Sequence, residues 1–185
     1  MTNPAPVKPL EPAAQTLAAE RLAAAFAGDC LSAANAAAAT RALEAKGWPS
    51  FGTIWSEPQP FYAAKPSAAS PAGLFVLGTP RWNGTAVYQL TCVGHYPALT
   101  AAPMQATMER RWGPGRPGAT AYPGAIAWEF RLRPGAPPEP VGVSLPSAAD
   151  VAALAPGEAI AYGQVYYNAS QQDVASLMAV YRRPA

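Results

Sequence analysis

Residues 125–133 carry the sharpest pattern in the chain. Ile126, Trp128, Phe130 and Leu132 alternate with Glu129, Arg131 and Arg133. A period of two with one apolar and one polar side predicts a strand with one buried and one wet face, as in an antiparallel sheet. Apolar runs bounded by Gly, Pro and Asn predict further strands over residues 51–56, 61–64, 73–79, 84–93 and 159–168. Asn83-Gly84 stands between two of these runs and predicts a hairpin turn. Residues 170–183 fit two periods. Val174, Leu177, Met178 and Tyr181 suit a helix, whereas Leu177, Ala179 and Tyr181 suit a strand. The strand is the reading adopted, because the strand over 159–168 needs a partner.

Residues 13–46 read as helix. Leu22, Phe26 and Cys30 are spaced by four and share one face. Gly28-Asp29 is expected to break the run, Ser32 to cap a second helix, and Gly47 to stop it at the C′ position. A further helix is expected within residues 99–112, starting near Pro103, since proline is tolerated in a first turn. Residues 147–154 predict one or two helical turns. The segments 113–124 and 134–146 read as Gly- and Pro-rich connections. Residues 1–12 hold four prolines and read as an extended arm. Helices followed by strands, with no regular βαβ alternation, predict a single α+β domain over residues 13–185. It would have a mostly antiparallel β-sheet, with an N-terminal helical pair and one middle helix packed on it.

Composition sharpens the core. Of 185 residues, 43 are alanine and only 31 are Leu, Ile, Val or Phe. Core volume must then come from the five Trp and eight Tyr, each able to bury about 150–250 Å². The formal net charge of +2 is too small for a nucleic-acid footprint, so no nucleic-acid partner is expected. No segment reaches the roughly 18 uncharged apolar residues that read as a membrane span.

Cys30 and Cys92 are the only cysteines. They can bond, remain two buried thiols, or include a reactive thiol. The low-lysine, tryptophan-rich composition favours the bond. The closed loop of about 60 residues would then be worth roughly 4 kcal/mol in the chain-entropy description. His95 is the only histidine. Cys92-Val93-Gly94-His95 holds a fragment of metal-ligand spacing, but a structural zinc takes four ligands, and no metal or cofactor is expected. Arg110, Arg111, Arg116, Arg131 and Arg133 form a candidate anion patch. The plainer reading is that the first two complement a helix dipole. Arg182 and Arg183 read as a solvated tail. Trp48, Trp55, Trp82, Trp112 and Trp128 are core anchors, with an aromatic groove for a sugar or peptide as the alternative. GPGRPG at 113–118 lacks the phosphate-loop pattern.

The order of elements resembles small exported two-cysteine proteins of unknown function from alphaproteobacteria. Phe26 and Cys30, Gly47-Trp48, residues 74–78, Cys92-Val93 and Trp112-Gly113 carry the resemblance. It implies a Cys30–Cys92 bridge and a periplasmic or secreted location, and no activity. MTNPAPVKPLEP has no apolar leader core. Export therefore requires a leader upstream of Met1; a native start at Met1 predicts the cytoplasm and no bridge.

One histidine, few acids and no recognisable carboxylate pair argue against catalysis. The leading expectation is a non-enzymatic exported binding or assembly component, with a protein partner or homo-oligomer contacted through the Pro-rich arm. A structural component of a large particle, a virion or surface appendage, is the second expectation. The third is a small hydrolase or lyase using His95 with Glu109 or Asp150.

Overall fold

Helix α1 (Pro12–Ala25) opens with proline in its first turn, where the missing N–H costs nothing. Its buried stripe is Gln15, Ala18, Ala19, Leu22, Ala23 and Ala25. The computed structural model describes residues 10–48, 50–56, 59–64, 73–79, 87–96, 100–118, 124–142, 144–168 and 173–183. Of the arm expected over residues 1–12, residues 1–9 lie outside the described residues, as does the Asn83-Gly84 turn, and Pro12 belongs to α1 instead of the arm.

The chain does not break at Gly28-Asp29. It widens into a π-helical turn, Phe26–Cys30, and leaves the helix only after the Leu31 N–H bonds the Phe26 carbonyl at 3.0 Å. The wider turn keeps Leu22, Phe26 and Cys30 together, all fully buried. Helix α2 (Ala36–Ala45) is capped by Asn35, whose side chain accepts from the Ala38 N–H. Ser32, the expected cap, instead bonds back to the Gly28 carbonyl. Asn35 takes the role because it stands immediately before the first helical residue. Gly47, at φ 76°, ends α2 with Trp48 N–H to Leu43 O and Gly47 N–H to Glu44 O, a Schellman motif. Trp48 is thereby buried, with the Arg21 guanidinium 4.6 Å above its ring.

The strands are β1 (Ser50–Ser56), β2 (Gln59–Ala64), β3 (Gly73–Thr79), β4 (Tyr88–Tyr96), β5 (Arg116–Pro117), β6 (Ile126–Leu132), β7 (Glu139–Gly142), β8 (Ala159–Asn168) and β9 (Asp173–Arg182). Helix α3 (Ala101–Trp112) follows β4, and α4 (Ala148–Ala152) precedes β8. They build one sheet in the order β1-β2-β3-β4-β9-β8-β6-β5, with β7 also on β6. Every pairing is antiparallel. The protein is thus of the α+β class, and the C-terminal segment is a strand. It is central, paired with β4 on one side and β8 on the other.

Two of the expected connections contain strands. β5 lies in the first and β7 in the second. Both are short and carry proline, so neither gives a period-two signal, and both sit where proline is tolerated, at the sheet edge.

One face of the sheet carries the main core. Leu74, Val76, Leu90, Cys92, Phe130, Ala161, Met178 and Val180 meet Leu22 and Phe26 and the α3 methionines Met104 and Met108. The opposite face is less wet than the 125–133 alternation implies. Val151 and Leu154, on and just after α4, cover Ile160, Ala179 and Tyr181 there. Cys30 and Cys92 are disulfide-bonded, with Cα atoms 6.4 Å apart and a sequence separation of 62. The bridge ties the π-helical turn to β4 in the interior of the sheet. Arg182 and Arg183 are not a solvated tail: they donate to the Leu31 and Leu154 carbonyls, each at 2.6 Å.

Candidate ligand groove at the sheet edge

β6 places Trp128 and Phe130 on the core face and Glu129 between them. β5 and β7 share its far edge. Arg116 and Pro117 oppose Ala127 and Ile126, while Gly142, Pro140 and Glu139 oppose Glu129, Phe130 and Arg131. The register shifts between Glu129 and Phe130, an irregularity that re-aims side chains at a sheet edge. Helix α3 ends beside this edge. Gly113 turns the chain, and its carbonyl accepts the Trp128 indole N–H at 2.9 Å. The Trp112 and Phe130 ring centroids are 5.9 Å apart, tilted by 55°.

These elements enclose a groove of about 400 Å³, with Trp112, Trp128, Phe130, Val141, Arg116 and Glu129 among its lining residues. Burial raises the Glu129 carboxyl above its ordinary range, the Ser144 backbone N–H opposes that rise, and the Asp150 charge adds to it. Behind Glu129, across the β6–β8 pair, lies the fully buried Tyr162. Its phenol is pushed up to about 12, first by burial and then by the Glu129 and Tyr181 groups. Tyr162 donates to Gln164 at 3.1 Å.

Glu129 also lines a second, more polar cleft of about 330 Å³, which includes Arg131, Val141, Leu145 and Asp150. Asp150 titrates below its usual range because the Ser147 hydroxyl and then the Ser147 backbone N–H donate to it. That carboxylate closes the capping box of α4.

The five arginines of the expected anion patch are not brought together. Arg110 and Arg111 both pair with Glu20 of α1, at 2.5 and 3.2 Å, and they hold Glu20 below its usual range. Arg133 pairs with Glu139 and, at 3.1 Å, with Glu158. The Arg131 charge acts on Asp150 and Glu158. Arg116 is exposed at the groove rim and makes no ion pair among the described residues.

The His95 side chain and Trp82 lie outside the described residues. The His95 backbone pairs with Gly73 and Ala175. Asp150 belongs with Ile160, whose row in the sheet runs through Tyr181 to Gln89. Six strand residues, roughly 20 Å, separate that row from His95. Glu109 accepts from Gln105 at 3.0 Å. Among the described residues, no three His, Cys, Asp or Glu cluster, and no helix is long and apolar enough to cross a membrane.

Glu129 is the residue that sequence reasoning passed over. Its alternation marked it as a wet-face position, and only the approach of β7 and residue 144 turns it into a groove wall. Trp112 and Arg116 were visible as helix end and loop cation, but nothing local joined them to β6. Comparison with protein-family models, with curated proteins and with solved structures finds no match for this chain.

Proposed function

We propose that this is a non-enzymatic binding protein of an oxidising, extracytoplasmic compartment, with its ligand seat in the groove between β5, β6 and β7. The observation that carries the reading is Arg116, a guanidinium without an ion-pair partner among the described residues, at the rim of a groove walled by Trp112, Trp128 and Phe130. Ligand sites combine apolar and aromatic walls with a few placed polar groups, and this groove has that make-up. The buried Cys30–Cys92 bond supports the compartment, because such bonds persist where thiols are not kept reduced.

The test is a thermal-shift screen of amino acids, dipeptides, small carboxylic acids and mono- and disaccharides against the oxidised protein. Trp112→Ala and Arg116→Ala serve as groove variants. At least one class is expected to raise the melting temperature of the wild type and to lose that effect in both variants. No shift with any class, or equal shifts in the variants, would remove the groove as the seat.

A further inference from the structure

We infer that the groove takes a zwitterion, a free amino acid or dipeptide, with its ammonium at Glu129 and its carboxylate at Arg116. The inference rests on the groove being the ligand seat.

Arg116 opposes Ala127, and Glu129 lies two residues further along β6. Diagonal neighbours of this kind stand roughly 7–8 Å apart. Both residues line one groove, and no ion pair joins them. Opposite charges held apart along one wall match a small molecule that carries both.

The carboxylate is fixed in place. The Ser144 backbone N–H donates to it, and Gly142 leaves room for it: a Cβ there would stand 2.3 Å from Glu129 Oε2. One backbone donor leaves a carboxylate with acceptor capacity to spare. Arg116 offers the planar fork that binds a carboxylate through two parallel bonds. Trp112, Phe130 and Val141 also line the groove.

Size and charge exclude the other occupants. A groove of about 400 Å³ is at the small end of ligand sites, too small for a folded partner. A neutral sugar would use the walls and leave both charges without a counter-charge. A phosphate would satisfy Arg116 and be repelled by Glu129.

The test is calorimetric titration of the oxidised full-length protein with L-phenylalanine and L-phenylalanyl-L-leucine. Their N-acetyl and C-terminal amide forms are titrated beside them. The zwitterions are expected to bind, and each capped form on the order of 10- to 100-fold more weakly, the loss of one charge-assisted bond. Glu129→Gln should abolish discrimination against the N-acetyl forms alone, and Arg116→Gln discrimination against the amides alone. Capped forms that bind as tightly as the zwitterions would overturn the inference, as would zwitterions that do not bind. A saccharide that binds through Trp112 while zwitterions do not would leave the groove standing as the seat and sink only the zwitterion. This part of the test needs no variant to fold, because the capped ligands act on the wild type.

Discussion

Glu129 and Tyr162 are direct partners across the β6–β8 pair, and the carboxylate's charge helps burial hold the phenol up to about 12. Glu129 itself is raised, chiefly by its own burial. A carboxyl whose folded pKa exceeds its unfolded one favours the native state most below the unfolded pKa. That contribution is lost as pH rises through the folded pKa. Glu129→Gln removes the cost that remains at neutral pH and keeps an acceptor for Ser144. The variant is therefore expected to gain stability over wild type at pH 7 and little or none at pH 4, read from urea midpoints. The Tyr162 phenol should titrate lower in the variant. An equal gain at both pH values would show that the Glu129 charge is not the cause.

The Cys30–Cys92 bond closes a sequence separation of 62 residues, so it removes much freedom from the unfolded chain. Cys30→Ala with Cys92→Ala should cost roughly 4 kcal/mol. Urea denaturation of the oxidised wild type against the double variant measures it. A loss below about 1 kcal/mol would mean that the core, not the bond, sets stability.

Leu22 of α1 rests on the backbone of β4 at Gly94. A Cβ at Gly94 would stand 2.0 Å from the Leu22 Cδ2. Gly94→Ala is expected to cost about 1–3 kcal/mol by overpacking, and Leu22→Ala about 2–5 kcal/mol by the space it leaves. Because the two changes fill and empty the same volume, the double variant should lose less than the sum. Additive losses in a double-mutant cycle would contradict this packing.

Ser176, in β9 between Gly94 and Val165, is fully buried, and its hydroxyl has no hydrogen-bond partner among the described residues. A buried polar group left unmatched costs about 1–3 kcal/mol. Ser176→Ala is therefore expected to leave stability unchanged or raise it by up to about 1 kcal/mol, measured by thermal and urea unfolding. A clear destabilisation would show that the hydroxyl bonds to something.

The elements legible in the sequence are those whose own side chains form a pattern. Gly73–Thr79 and Ala159–Asn168 are strands with the bounds their apolar runs suggest. Gly47 ends α2 because only a residue free at positive φ closes that helix without strain. Leu22, Phe26 and Cys30 point one way, as their spacing implies. The short edge strands β5 and β7 were not legible, since each is too short, and too interrupted by proline, to show a period. The cap of α2 was misplaced by three residues, from Asn35 to Ser32, because both are capping types.

The sequence by itself determined the α+β class and the strand-forming runs, because local periodicity and composition decide which surfaces must be buried, and it favoured a bond between the two cysteines without deciding it. The tertiary structure alone decided what stands beside what. It paired Arg110, Arg111 and Arg133 with acids and left Arg116 at a rim without an ion-pair partner among the described residues. It carried Trp112, from a helix end, to within 5.9 Å of Phe130. It also turned Glu129 from a wet-face carboxylate into one raised by burial. Those outcomes depend on which strands pair across the sheet edge, and pairing is a long-range choice made by the whole core.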